Sequence, residues 1–528
     1  MTGSVCRRRP VGWMLCWTLA LACSSGYRPA RFRDHPPITQ VADTQPTPVP
    51  AHHRLNDLAK LSNAYLRLPV IGALDASRPP PAGDVNSWDE VPASSWHREP
   101  PSDQELRSSY QRAGPPEPPL RVVENLPALR RGGLTITDRR GLHYEVFRDP
   151  ARLAQTTTAA AAIASRLVHA LGYFTPEVWV VDVSSTELRV APGATHLHAR
   201  LSELLSTPSG ATPPRVRLAA TRWPGGIDAG HTLAYGRRDD DPNDRVAHED
   251  RRTLRALRVL AAWLDLRRLG PHHTRDLYVG SPGKGHLTHY LVDLHGALGA
   301  GRLRGAEATR PIAGHVRGNA WVNLATLGLI PEEQLPDAKA TTLGVLSEQA
   351  TVADYARFYE PAARIQPDDA YWMVKRIQSL SPPILRWAVA GGKLDDAALA
   401  DELVDKLQAR RRAILQQVFA AVTPLEVVSV DQSDLVLEDR SMRGQPAPGQ
   451  SKWYLVRFID SKGAAVAEPQ RGRPRRGRLK VILPPPARGR STYLVVMIRA
   501  EGADDDASHF EAHLVRETQG TRVVGIRH

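Results

Sequence analysis

Cysteine is almost absent from this chain: of 528 residues only Cys6, Cys16 and Cys23 carry a thiol, and all three lie within the first 23 positions. That scarcity excludes a disulfide framework, a cysteine zinc site in the body of the protein and a disulfide-linked partner. No apolar run of spanning length follows residue 22, so no later segment is a candidate membrane helix. Aromatic residues make up only 6% of the chain, which weighs against a surface that stacks single-stranded bases. A Gly-x-Ser-x-Gly elbow for a serine nucleophile is also missing.

What is present first is an address. Arg7, Arg8 and Arg9 precede the apolar run Val11 to Leu21, and Ala22-Cys23 closes it. A basic start, an apolar stretch shorter than the roughly 20 residues a bilayer requires, and a small residue before a thiol predict an export signal over residues 1–22 with lipidation at Cys23. A plain signal peptide cut nearby is the alternative, because Ala20 stands where lipoprotein signals carry Leu, Val or Ile. The expectation is an exported, membrane-anchored lipoprotein of the cell envelope. Ser24 and Ser25 supply no Asp retention cue, which favours the outer membrane. The formal charge of +13 points to an anionic partner, with headgroups or an anionic envelope polymer ahead of nucleic acid.

The remaining length suggests about three domains. Residues 23–50, rich in Pro, Thr and Arg, predict a flexible tether, and 51–115 a proline-rich arm whose Trp88 and Trp96 dock it on the body. Residues 116–190 predict a small α+β lobe: strands at Leu134 to Thr137 and His143 to Arg148, a helix from Thr158 to Leu171, and a strand from Val178 to Val183. Residues 191–425 read as mainly helical, with a helix from His248 to about Leu269 and others near 368–380, 383–390 and 395–422. Short strands at 276–279 and 287–293 interrupt them. From 426 to 528 the pattern alternates, as in a separate all-β domain. There Arg471, Arg473, Arg475, Arg476, Arg478, Lys480, Arg488 and Arg490 fall within 20 positions without an acid. They form a candidate anion-binding segment, or else a solvated hairpin loop.

Two other clusters are candidates for metal. His272, His273, Asp276, His286, His289, Asp293 and His295 crowd into 24 positions, with His273, Asp293 and His295 the foremost ligands. The oxygen-rich run Gly236 to Asp244 resembles a calcium loop in composition. Without the EF-hand glycine and terminal Glu, it reads as a turn whose acids pair with Arg251 and Arg252. His196-Leu197-His198 is a weaker pair, expected on one face of a strand.

Segments 86–96, 159–176, 239–263, 274–299 and 368–375 together resemble a family of bacterial secreted lipoproteins of uncharacterised function, itself distantly similar to HipA-like and CotH-like branches of the kinase-like superfamily. The resemblance implies an α+β, kinase-like bilobal core, with a small β-rich lobe and a helical lobe, ahead of the β domain. It also implies ATP with Mg or Mn as cofactor if the core is active. Carried onto this chain, the phosphotransfer pattern is depleted. Val146, Phe147 and Arg148 stand where a strand Lys belongs, Ala160 or Ala161 where a helix Glu belongs, and Arg268 and His273 where a loop Asp and Asn belong. Asp293 remains. Three readings stay open: a catalytically degenerate binding or scaffolding module, a metal-dependent phosphotransferase built on Asp293, His273 and Asp276, and a structural lipoprotein with a collapsed cleft.

Overall fold

The computed structural model describes residues 29–54, 79–124, 133–150, 153–206, 214–267, 269–302, 346–356, 359–443, 452–485, 492–502, 509–517 and 520–528. The signal region 1–22, Cys23, Arg268, Arg488 and Arg490 lie outside the described residues. Among the described residues no helix is long and apolar enough to cross a membrane.

The architecture is α+β with a strand-rich C-terminal region. After helix α1 (Asp103–Ala113) come strands β1 (Leu120–Val123), β2 (Leu134–Thr137) and β3 (His143–Phe147), helix α2 (Thr157–Ala170) and strands β4 (Val178–Ser184) and β5 (Leu188–Val190). Helix α3 (His198–Leu205) and strand β6 (Arg215–Arg222) complete this layer. The strands form one sheet in the order β4-β6-β3-β2-β1-β5, antiparallel except for the β1–β5 pair. Strand β6 therefore lies inside the sheet, between β3 and β4, although residues 191–425 were expected to be mainly helical. Its sequence, Arg-Val-Arg-Leu-Ala-Ala-Thr-Arg, offers little β-branched content, and Ala219 and Ala220 are fully buried.

Helix α2 is buried along its whole length. Four consecutive alanines favour the helix intrinsically and let it lie close against neighbouring elements. Asp149 fixes its start by accepting from Gln155 N, Thr158 N and the hydroxyls of Thr157 and Thr158 at 2.7 to 3.0 Å. Gly172 ends it at φ +91, where a Cβ would come within 2.3 Å of Arg98 O.

The second layer holds α4 (Arg252–Arg255), α5 (Leu257–Leu264), α6 (Glu360–Ala363), α7 (Pro367–Ser379), α8 (Pro382–Ala390) and the 25-residue α9 (Ala397–Ala421). The helix expected from His248 to about Leu269 is divided into a 3-10 turn, α4 and α5, and it stops at Asp265, which sits at φ 53. A three-stranded sheet, β7 (Ile227–Gly230), β8 (Thr274–Val279) and β9 (His286–Leu291), lies beside these helices. Beyond it, β10 (Leu425–Val430), β11 (Asp434–Asp439) and β14 (Arg478–Ile482) form a three-stranded sheet. A five-stranded sheet runs β13-β12-β15-β16-β17, from β12 (Tyr454–Ile459), β13 (Ala465–Gly472), β15 (Thr492–Ala500), β16 (Phe510–Glu517) and β17 (Gly520–Arg527). Leu435, Leu437, Val481, Tyr454, Phe458, Val496, Phe510 and Leu514 join both sheets in one core.

Residues 29–50 of the expected flexible tether, and the start of the arm up to residue 54, are bonded to the body of the protein. The N–H groups of Val41, Thr47 and His53 bond to Ala93 O, Gly285 O and Ala229 O at 2.8 to 2.9 Å. Phe32 lies edge-on to His513 at 4.7 Å, and its N–H donates to the Tyr493 hydroxyl at 2.9 Å. The segment is held by backbone edges and single anchors, which leave no apolar period in the sequence. Helix α1, which was not expected in the segment read as a proline-rich arm, packs Leu106, Tyr110 and Ala113 into the core of the six-stranded sheet.

Candidate functional site

Strand β9 ends just before Asp293, which adopts φ 58 and ψ 45 and opens the 3-10 turn Leu294–Gly296. That turn packs on α2, placing Asp293 near the end of β3. His295 folds back so that its Nδ1 donates to Asp293 Oδ1 at 2.5 Å, with both side chains at most 10% exposed. His273 lies alongside: its carbonyl accepts from Val292 N at 2.8 Å, and its Nδ1 accepts from Gly270 N at 3.3 Å. Burial pushes His273 down to about 4, against the pull of Asp293. The ring is therefore neutral near pH 7. His272 lies 4.0 Å from it, centre to centre.

Phe147, at the end of β3, closes this site from the sheet side. It is 5% exposed and packs with Ala161, Ala162, Val178, Val180 and Ala219. Its ring meets His295 edge-on at 6.1 Å. Arg148 does not serve as a substitute cation, because its Nη1 bonds to Leu204 O at 3.1 Å and to Ser206 O, at the end of α3. Asp265, an acid in the loop after α5 that the sequence pattern does not single out, accepts from the Tyr355 hydroxyl at 2.5 Å and faces Arg410 at 3.8 Å.

Asp276 is brought to a different place. It pairs across β8 and β9 with His289, whose Nδ1 donates to it at 2.8 Å, while Arg238 Nη1 donates at 3.1 Å and Thr232 Oγ1 also donates. Burial would raise Asp276; His289, Thr232 and Arg238 overcome that and hold it at about 2. The His289 ring stacks on Trp96 at 3.5 Å and 12°, and Arg251 covers the same indole at 4.3 Å. His248 meets it edge-on at 4.9 Å.

The run Gly236 to Asp244 closes the same hub. Asp244 accepts from Arg238 N, His248 Nε2 and Arg251 Nη2 at 2.7 to 2.8 Å; Asp240 takes Arg238 and Ala51 N; Asp241 takes Asn243 N. Its carboxylates are thus engaged by cations and N–H groups, as a structural turn requires. Arg252, expected to pair with this run, turns instead to Asp89, Asp368 and Asp369. His196 and His198 are exposed on the 3-10 turn and the first residue of α3 rather than on a strand. Among the described residues no group of three or more His, Cys, Asp or Glu is arranged to hold a metal ion.

In the strand-rich C-terminal region the cationic segment includes the end of β13 and all of β14. Arg471 pairs with Glu501 and Lys480 with Asp434. Arg473, Arg475, Arg476 and Arg478 are exposed.

Comparisons of the chain with family models, with curated proteins and with solved structures return no match.

Proposed function

We propose that this chain is a lipid-anchored cell-envelope protein whose kinase-like core is catalytically degenerate and acts as a binding or scaffolding module. The element order supports the kinase-like reading: strands, the buried helix α2 after β3, more strands, a helix and loop, and a hairpin ending at Asp293. The degenerate reading rests chiefly on Phe147. A phosphotransferase needs a cation at the end of that strand and a free carboxylate for metal. Here the strand ends in a buried phenyl ring against His295, and His295 holds Asp293. Asp276, the other acid of an active reading, is committed to Arg238, His289 and Thr232 in a separate hub.

The test is thermal unfolding with and without ATP plus magnesium or manganese, since a ligand of the native state raises its stability. No shift at millimolar nucleotide is expected. A shift that Asp293→Ala abolishes overturns the proposal and makes the core an Asp293-dependent nucleotide site.

A further inference from the structure

Strands β13 and β14 are joined by a narrow cationic turn. Arg475 N–H donates to Arg478 O at 2.8 Å and Arg478 N–H to Arg475 O at 3.1 Å, while Arg476 and Gly477 take φ 50 and φ 76. This is a two-residue hairpin turn with positive φ at both central positions. Arg473, Arg475, Arg476 and Arg478 stand exposed on it, and among the described residues none of them has a carboxylate partner. The flanking strands are pinned by the Arg471–Glu501 and Lys480–Asp434 pairs.

An exposed indole accompanies these cations. Trp453 is 44% exposed beneath the Arg471 guanidinium, 4.9 Å from it. A phosphate polymer is gripped chiefly by charge, whereas cations beside an exposed tryptophan match the interfacial zone of a bilayer.

Chain length bounds how far that bilayer can lie. Arg471 and Arg499 both register with Leu455, and Arg499, Met497, Val495 and Tyr493 alternate onto one face of β15. Phe32 seats on Tyr493 and His513, on that same face. Cys23 is nine residues before Phe32, which at full extension spans about 30 Å. A lipid on Cys23 therefore lies within about 30 Å of Phe32, a reach that admits contact between this region and a bilayer.

We infer that the Arg473–Arg478 hairpin and Trp453 dock on the headgroups of an anionic phospholipid bilayer; the nearness of that bilayer rests on the lipid anchor proposed above, and the surface itself does not depend on what the cleft binds. The test compares partitioning of the full chain onto phosphatidylcholine vesicles containing roughly one-third phosphatidylglycerol and onto pure phosphatidylcholine vesicles. The apolar leader contributes to both, so their ratio reports the charged surface. The ratio is expected to fall with added salt, and by about fivefold per cation, on the order of several hundred-fold at low salt, when Arg473, Arg475, Arg476 and Arg478 are all changed to Gln. Trp453→Ala is expected to weaken vesicle binding and leave retention on inorganic polyphosphate unchanged. An unchanged ratio in the four-arginine variant overturns the proposal. Vesicle binding indifferent to Trp453, with tight polyphosphate retention, overturns it in favour of a polymer. Fatty-acid labelling of Cys23→Ser against the parent chain reads the anchor separately.

Discussion

Arginine does opposite work in two parts of this molecule. In the helical layer Arg238, Arg252, Arg255 and Arg410 are among the largest fully buried side chains, each surrounded by acceptors. Arg410 alone donates to Trp263 O, Ser347 O, Gln349 O, Ala262 O and the Tyr355 hydroxyl. On the hairpin of the β domain, four arginines stand in solvent. The net charge of +13 is therefore no measure of binding capacity. Buried guanidiniums are consumed as multi-point hydrogen-bond donors, and only the exposed set is available to an anion.

The largest test of that contrast is Arg252→Ala. Arg252 is 1% exposed and reaches Asp89 and Asp368 at 2.7 Å and Asp369 at 3.1 Å, tying the docking arm to α7. Removing it takes the shared cation from three carboxylates, of which Asp89 keeps His528 and Asp369 keeps Gln366 N and Arg255, so a loss of about 3 kcal/mol in denaturant unfolding is expected. Arg252→Lys is expected to recover little of this, because one ammonium cannot point along three separate directions. A loss below about 1 kcal/mol for the Ala variant would mean that the arm is held by other contacts.

Three buried sites disfavour imidazolium. Burial and Arg376 push His97 down to about 3, burial and Arg98 push His169 to about 3, and burial pushes His273 to about 4. Each of these values is lowered from an ordinary value near 6.5, so the unfolded chain binds more protons below that pH. Their contribution is fully present above about pH 6.5 and is lost as pH falls toward 4, at up to about 1.4 kcal/mol per pH unit for each group. Asp89 and Asp276, held at about 2 by their cations, add a further loss between about pH 4 and 2. Urea midpoints measured from pH 7 to 4 should therefore decline, and His97→Gln should flatten the slope. A flat profile in the parent chain would show these rings to be protonated within the fold.

Elements with a strong local period were legible in the sequence. Helix α9 falls close to its expected bounds, and the alternating region 426–528 is strand-rich, because in each the apolar residues recur at one spacing against a core. Helix α1 was also readable: Ser102 and Glu105 form a capping box, a signal overshadowed by the surrounding prolines. The Trp96 hub was not, since Trp96, Asp244, His248, Asp276 and His289 come from separate segments with no shared spacing. Likewise Phe147 is an ordinary strand residue until the turn at Asp293 is seen to pack beneath it. Clustering in sequence placed Asp276 with Asp293, yet β8 and β9 run antiparallel and carry Asp276 toward His289, away from the turn where the hairpin ends.

The smallest expected effect lies on the hairpin itself. Changing Arg473, Arg475, Arg476 and Arg478 to Gln removes no hydrogen bond that closes the turn, because those bonds run between backbone groups of Arg475 and Arg478. Gln also occupies strand and turn positions without burying charge, and exposed substitutions away from caps and cores shift stability little. The denaturant midpoint of this variant is therefore expected to match the parent chain even as vesicle partitioning collapses. If the midpoint drops instead, these arginines belong with Arg252 and Arg410 as part of the fabric, and the division between structural and available cations fails at its exposed end.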